Sequence, residues 1–201
     1  MYENPVVKPT SWGYRGWWLA AGGIEWAFPV EEHGLNEWRS WNYTTGSTAY
    51  GSSITVSSIE ERTGMEVGAT ISLDTGHAYL VIQPWAKNNT AEDHPYQLWL
   101  NAMLALNNNT ISNETQLIVP ASEVIIHTTA DGGLPGSGGQ MSWPFHNGRD
   151  MSRYGNWQGW GGFFVPAVSH GFVGVYDYAI DQGIVRTYNP GWPSGTKFFS
   201  P

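Results

Sequence analysis

The stretch SSITVSSIEERTGMEVGATISLDTGHAYLVIQPWA, residues 52–86, decides the fold class. Residues 52–60 and 66–73 alternate apolar and polar side chains, which is the period of a half-buried strand. The segments ERTG (61–64) and DTG (74–76) supply turn residues, and residues 78–86 form the next apolar run. The pattern therefore predicts an antiparallel β-meander.

Short strands are also predicted on both sides of this meander. Residues 24–28 alternate, so Ile24, Trp26 and Phe28 are expected on the core face and Glu25 on the opposite face. Residues 94–106 fit a helical turn or a strand, and Pro95 with the neighbouring asparagine runs favours a strand. Further strands are predicted over residues 115–119, 123–128, 160–166, 172–180 and 184–187, with a hairpin turn at 181–183. Many short strands separated by turn residues indicate an all-β, antiparallel β-sandwich.

Composition favours the same class and excludes several functions. The 201 residues fit a single domain over residues 1–201, and the 12 Trp, 10 Tyr, 25 Gly and 12 Pro are typical of β-structure with many turns. Nine Lys and Arg and a formal charge of −8 disfavour binding to nucleic acid or to an anionic membrane surface. No apolar run is long enough to cross a bilayer, and no signal peptide is recognisable. The lack of cysteine excludes thiolate chemistry and leaves the cellular compartment open.

The segment MSWPFHNGRDMSRYGNWQGWGGFFV, residues 141–165, combines large aromatic side chains with glycine and charge. This loop carries Trp143, Trp157 and Trp160 within 18 residues. Because an exposed indole costs free energy, their rings are expected to pack on the protein's own core or on a ligand. They either plug one end of the β-structure or form the wall of a ligand site. Sugar rings stack their C–H faces on indoles, while their hydroxyls need fixed polar groups. The segment offers such groups in His146, Arg149, Asp150 and Asn156.

A second candidate site surrounds Glu25. The loop that follows its strand carries His33 and Arg39, and its course could return both side chains towards the carboxylate. A glutamate beside a histidine can act as an acid–base pair. The same residues can instead form a buried Glu–Arg ion pair that fixes the loop, and this structural interpretation is favoured over a catalytic role.

No metal or cofactor is expected from the sequence. None of the six histidines shows the close spacing of a metal-ligand motif. The Asp-Thr-Gly and Asp-Gly-Gly segments are turn residues and do not form a calcium loop. The chain also lacks a nucleophile elbow, a phosphate-binding loop and a dinucleotide fingerprint.

Four segments together resemble the galactose mutarotase-like β-supersandwich superfamily, in its branch of domains of unknown function. They are GGIEWAFPVEEHG (22–34), AYLVIQPWAKNNT (78–90), PYQLWLNAM (95–103) and HGFVGVYDYAIDQGIVRTYNPGWPSGTKFF (170–199). Their order and spacing carry the resemblance. A complete supersandwich is longer, so the resemblance implies that this chain is a fragment or a minimal form.

The resemblance also implies where the chain departs from mutarotase chemistry. In mutarotases of the superfamily, a histidine general acid precedes the asparagine of the segment similar to residues 96–101, and a glutamate near the C-terminus acts as base. Gln97 stands where the histidine is expected, and no glutamate follows Glu123. Because glutamine has no titratable proton, aldose epimerisation by that mechanism is not expected. The sugar-facing sheet is the property that the resemblance still implies.

Three functions follow from these observations. The first is a carbohydrate-binding β-sandwich domain of a sugar-active protein, whose partners are a carbohydrate ligand and other domains of the same longer chain. Its ligand face is predicted to include Trp26, Trp38, Arg39, Gln97, Trp99, Asn101, His146, Arg149, Asp150, Trp157 and Trp160. The second is a sugar-processing epimerase, lyase or glycoside hydrolase with Glu25 and His33 as the catalytic pair. The third is a structural or interaction domain with its aromatic side chains at an interface.

Overall fold

The computed structural model describes residues 8–10, 18–20, 23–29, 40–104, 106, 110–166, 170–191 and 195–200. Every named strand pair in these ranges is antiparallel, and no α-helix occurs in them. The prediction of an antiparallel all-β chain is therefore confirmed. The chain divides into two compact units, Met1–Leu104 and Ala105–Pro201.

The N-terminal unit contains a four-stranded meander and two two-stranded ribbons. The strands are β1 (Lys8–Thr10), β2 (Trp18–Ala20), β3 (Gly23–Ala27), β4 (Asn42–Ser47), β5 (Gly51–Ile59), β6 (Glu66–Asp74), β7 (Val81–Lys87) and β8 (Trp99–Met103). The meander has the order β4-β5-β6-β7, and the ribbons pair β1 with β2 and β3 with β8. The predicted meander is confirmed, and β8 confirms that residues 94–106 contain a strand. The strand expected from residue 78 begins at Val81, because the turn after β6 continues irregularly to residue 80.

The burial of β3 differs from the predicted pattern. Glu25 and Ala27 are its buried side chains, whereas Ile24 and Trp26 are only partly buried. Phe28 just after the strand is buried as expected and forms a small core with Met65 and Val67. Glu25 lies on the face opposite Trp26 as expected, but the expectation that the face of Ile24 and Trp26 is the buried one was wrong. Hydrophobic alternation alone does not tell which face of a two-stranded ribbon the rest of the chain covers.

A buried carboxylate closes the turn between β5 and β6. Glu60 is fully buried, and its oxygens accept hydrogen bonds from the Thr63 N–H and hydroxyl at 2.8 Å each. The Arg62 N–H and Nε donate to the same carboxylate at 3.1 and 3.0 Å. Burial alone would raise the pKa of Glu60, but the hydrogen bonds from Thr63 and Arg62 together hold that pKa below its ordinary value.

Replacing this carboxylate by an amide is expected to destabilise the N-terminal unit. Glu60→Gln loses charge-assisted hydrogen bonds, so we expect the free energy of unfolding to fall by about 1–3 kcal/mol at pH 7. Because the folded pKa is lowered, this stabilisation is present above the ordinary value of 4.5 and is lost as the pH falls below it. Urea unfolding at pH 7 and pH 3 measures the difference, with the exposed Glu92→Gln as control. Equal stability of Glu60→Gln and the wild type at pH 7 would contradict this prediction.

The C-terminal unit contains two larger sheets and a short hairpin. Its strands are β9 (Thr115–Ile118), β10 (Glu123–Thr129), β11 (Gln140–Ser142), β12 (Phe145–His146), β13 (Arg149–Asp150), β14 (Gly161–Val165), β15 (Phe172–Asp177), β16 (Gln182–Thr187) and β17 (Thr196–Ser200). The sheet orders are β11-β10-β14-β17 and β16-β15-β9, with β12 paired to β13. The β15–β16 turn occupies residues 178–181 instead of 181–183, since Gln182 already pairs with Asp177.

One hydrophobic core joins the two larger sheets of this unit, as in a β-sandwich. The four-stranded sheet contributes Val124, Ile126, Met141, Phe163 and Val165 to this core. The three-stranded sheet contributes Leu117 and Val175. Trp143 is 6% exposed and packs on Phe163 with ring centroids 4.9 Å apart. The plug interpretation thus holds for this tryptophan.

Candidate functional site

Trp157 is fixed in a defined orientation beside the core of the C-terminal unit. The 3-10 turn Tyr154–Asn156 precedes it, and its indole Nε1–H donates to the Met151 carbonyl at 2.9 Å. One ring face stacks on Phe163, with centroids 6.1 Å apart and planes 19° apart. Gly161 makes room for the ring, because a Cβ there would lie 2.6 Å from an indole carbon. The side chain is therefore held before any ligand arrives.

Trp160 lies nearby but is much more accessible. Its side chain is 46% exposed and stacks on Phe199 with centroids 6.1 Å apart. Its carbonyl oxygen accepts hydrogen bonds from the Ala130 N–H at 2.8 Å and the Thr129 hydroxyl at 3.2 Å. These backbone contacts anchor the residue, while the ring stack on Phe199 restricts its rotamer.

An open cleft of about 260 Å³ lies beside both indoles. Its lining consists of Asn113, Tyr154, Gly155, Trp157, Gly159 and Trp160. Two of the three tryptophans that the sequence singled out thus share this cleft. Sequence reasoning missed Asn113 and Tyr154, and only the presence of Tyr154 in the same loop could have indicated one of them.

A second buried carboxylate places Asn113 at the cleft. Asp177 at the end of β15 is fully buried and accepts hydrogen bonds from the Ser112 hydroxyl at 2.8 Å and the Thr115 hydroxyl at 3.2 Å. These bonds, the one from Ser112 first, hold the pKa of Asp177 below its ordinary value. The Asn113 carbonyl accepts from the Gly155 N–H at 3.3 Å, which ties the segment to the 3-10 turn.

Arg149 supports the loop that carries the cleft residues and does not itself line the cleft. Its guanidinium makes a two-pronged ion pair with the buried Asp131, at 2.8 and 3.2 Å, and also donates to the Asn156 carbonyl at 3.3 Å. Asp131 accepts in addition from the Gln158 N–H at 3.0 Å and the Gly133 N–H at 2.9 Å. The hydrogen bond from Arg149 is the main cause of the lowered pKa of Asp131. The pair therefore fixes residues 156–158, next to Trp157.

The other polar residues predicted in this segment have local partners. Asp150 accepts from the Ser152 N–H at 3.0 Å and hydroxyl at 2.6 Å, and its carbonyl accepts from the Asn156 amide at 2.9 Å. His146 pairs with Arg149 in the β12–β13 hairpin, and its ring Nε2 lies 3.2 Å from the Asn147 amide. Both residues stand outside the cleft lining.

The predicted site residues of the N-terminal unit that the structure describes lie in or next to the β3–β8 ribbon, on both of its faces. Glu25 pairs with Asn101 in register, and Trp99 shares their face because alternate residues of a strand point the same way. The Trp99 indole N–H donates to the Gln97 side-chain oxygen at 3.2 Å, which adds Gln97 to this group. Trp26 pairs with Leu100 on the opposite face, and the assignment of Trp26 and Trp99 to a ligand site stays a prediction. His33, Trp38 and Arg39 lie outside the described residues, and the Glu25–His33 catalytic pair stays a prediction.

Among the residues that the structure describes, no group of three or more His, Asp or Glu side chains converges as metal ligands do. No helix in those ranges is long and apolar enough to cross a bilayer.

Comparison with known proteins gives a family and a fold. The family model of the domain of unknown function DUF5107 matches residues 1–187. No curated protein matches the sequence. A TPR-domain containing protein from Parabacteroides distasonis ATCC 8503 has a similar solved structure, with a TM-score of 0.76 and 20% identity. The match covers 99% of this chain and 32% of that chain, so this chain spans about a third of its neighbour's length.

Proposed function

The chain belongs to the DUF5107 family, and from the cleft in its C-terminal unit we propose that it binds carbohydrate there. The observation that carries the proposal is the pair of indoles, Trp157 and Trp160, each held by a ring partner and each bordering the same open cleft. A binding site gains affinity when its side chains are ordered in advance, because less conformational entropy is lost when the ligand binds.

The chemistry of the lining suits a sugar ring. Indole and phenol rings offer flat apolar surfaces for the C–H faces of a pyranose, and Trp157, Trp160 and Tyr154 provide three of them. Sugar hydroxyls need neutral donors and acceptors, which the Asn113 amide and the Trp160 indole N–H can supply. A volume of about 260 Å³ is at the small end of ligand pockets, which favours one sugar unit of a chain open to solvent.

The charge of the lining residues restricts the class of sugar that the cleft can bind. None of the six lining residues carries a formal charge, and the nearby Arg149 guanidinium is occupied by Asp131. An acidic sugar would lose its hydration without gaining a cation among the lining residues. We therefore expect an uncharged sugar as the ligand.

The resemblance of the four segments to the galactose mutarotase-like superfamily also supports sugar binding. A galactose mutarotase-like supersandwich would place a sugar-binding surface on such antiparallel sheets, and the family match covers three of those segments and part of the fourth. The solved neighbour is a longer TPR-domain containing protein, which supports other domains of the same longer chain as partners. We propose neither nucleic acid nor a membrane as a partner, because the formal charge of −8 disfavours binding to polyanions and to anionic membrane surfaces.

Removing the accessible indole is expected to weaken sugar binding without unfolding the protein. We expect Trp160→Ala to raise the Kd about tenfold, since an indole that covers roughly 60 Å² of apolar sugar surface contributes about 1.5 kcal/mol. A glycan array first identifies an uncharged ligand, and isothermal titration calorimetry then measures its affinity for the wild type and the variant.

A matched control is available in the same loop. Phe145 is 63% exposed and does not line the cleft, so Phe145→Ala should bind as the wild type does. The proposal is wrong if no carbohydrate on the array binds. It is equally wrong if Trp160→Ala and Phe145→Ala both keep the wild-type affinity for the sugar found.

A further inference from the structure

A second surface with an unusual composition lies on the meander of the N-terminal unit. The register of β4–β7 places twelve residues on one face in three rows across the four strands. The rows are Asn42–Ser57–Gly68–Trp85, Thr44–Thr55–Thr70–Gln83 and Gly46–Ser53–Ser72–Val81. We call these twelve residues the hydroxyl face. The spacings of strands and of alternate residues give it roughly 14 Å in each direction.

The hydroxyl face is the side of this sheet turned away from the small core of its unit. The opposite face carries Val56, Ala69 and Ile71, and its Val67 belongs to the Phe28 core. Most side chains of the hydroxyl face are partly or fully exposed, Gly68 being the buried exception. The face is therefore a solvent-facing surface of small polar groups.

A single large aromatic ring lies close against this surface. Trp85 pairs with Gly68, and a Cβ on that glycine would lie 2.3 Å from an indole carbon. Only glycine lets the ring approach the sheet so closely, so the indole lies against the β6 backbone at Gly68. The ring is only partly buried, so part of it is accessible to solvent.

The polar groups around the ring are neutral donors and acceptors. The Thr55 and Thr70 hydroxyls are 2.9 Å apart, and Gln83 extends the same row to β7. None of the twelve residues is ionisable. The nearest charges are in the bordering rows, at Glu66 and Lys87 on one side and Asp74 on the other.

We propose that the hydroxyl face binds an uncharged polysaccharide chain, with one sugar ring stacked on Trp85. The sugar ring stacks on the accessible part of the indole, and the hydroxyls of the polysaccharide exchange hydrogen bonds with the rows of Thr, Ser, Asn and Gln. A polyanion would find no cation in these rows, and a protein partner would find little apolar surface to bury. The site is independent of the Trp157–Trp160 cleft, which belongs to the other unit.

Affinity electrophoresis of the full chain tests the proposal. Native gels contain a soluble β-1,3-glucan, a β-1,4-mannan, a β-1,4-xylan or, as the anionic polymer, polygalacturonate. We expect retardation by at least one neutral polymer, unchanged in 0.5 M NaCl, and a dissociation constant about tenfold higher for Trp85→Ala. Thr70→Lys, which places a long charged side chain beside the ring on an exposed strand surface, should weaken retardation similarly.

Two control variants separate this surface from the cleft. Trp160→Ala weakens the cleft, so the hydroxyl-face variants are compared in a Trp160→Ala background. In this background Tyr50→Ala, which removes an exposed ring next to the sheet but off the hydroxyl face, should keep the retardation by polysaccharide. The proposal is overturned if no neutral polymer retards the protein, if polygalacturonate retards it more, or if folded Trp85→Ala or Thr70→Lys migrates as the Trp160→Ala parent does. Loss of retardation in Trp160→Ala would assign the polymer to the cleft instead. If Trp85→Ala does not fold, the retardation of Thr70→Lys alone tests the proposal.

Discussion

The Asp131→Ala variant is expected to lower the free energy of unfolding of the C-terminal unit by about 3 kcal/mol. Asp131 is buried and holds the Arg149 guanidinium with two hydrogen bonds. Its removal leaves a largely buried cation without its partner and the Gly133 and Gln158 N–H groups without their acceptor. The Arg149 side chain is 22% exposed, so some water can replace the carboxylate and the cost stays near the lower end for buried pairs.

Urea unfolding monitored by Trp fluorescence measures this loss. The lowered pKa of Asp131 means that its stabilisation is complete above the ordinary value of 3.8 and is lost as the pH falls below it. The gap between wild type and variant should therefore be full at pH 7 and smaller at pH 3. Glu123→Ala, an exposed carboxylate on β10, should change stability by less than about 0.5 kcal/mol. A loss below about 1 kcal/mol for Asp131→Ala would show that the ion pair does not hold the loop.

The Phe163→Ala variant is expected to cost about 3–5 kcal/mol. Phe163 is fully buried at the centre of a cluster of rings, with Trp143, Trp157 and Phe198 all within 6.1 Å of it, centroid to centroid. Truncation removes the transfer free energy of the ring and leaves a cavity between the two sheets. The same change removes the surface on which Trp157 stacks, so sugar binding should weaken as well.

The neighbouring strand offers a control of the same residue type. Phe199 is 54% exposed, and Phe199→Ala should cost less than about 1 kcal/mol. Thermal unfolding followed by circular dichroism compares the two variants with the wild type. Equal losses in both would mean that Phe163 is not the centre of the core.

The strands that sequence predicts best are those with strict alternation. The meander strands β5 and β6 were found because their apolar residues recur every second position and glycine-containing turns bound them. Strand β4, NYTTGS, escaped because all its side chains are exposed and no apolar pattern marks it. Strands β11 to β13 lie in a glycine-rich segment where pairing, not periodicity, defines the strand. Their hairpin turn, Asn147-Gly148, has positive φ at both residues, as a two-residue hairpin favours.

The sequence predicted only the part of the candidate site that lies within residues 141–165. Three tryptophans in a glycine-rich loop indicated a covered surface, but the sequence could not tell the buried Trp143 from the accessible Trp160. That difference arises from which ring meets Phe163 inside the sandwich and which meets Phe199 outside. Asn113 escaped altogether, because it reaches the cleft through the pairing of β9 with β15 and the Asp177–Ser112 hydrogen bond. Contacts between residues so distant in the chain leave no periodic pattern in the sequence.

The most direct test of sugar binding at the cleft is NMR of the indole N–H groups during titration with the uncharged sugar found on the array. The chain has 12 tryptophans, and Trp→Phe variants assign the resonances of Trp143, Trp157 and Trp160. We expect saturable shifts for Trp157 and Trp160, with Trp143 unmoved because it is sealed in the core. A sugar that binds while the Trp157 and Trp160 resonances stay in place would contradict the proposed site.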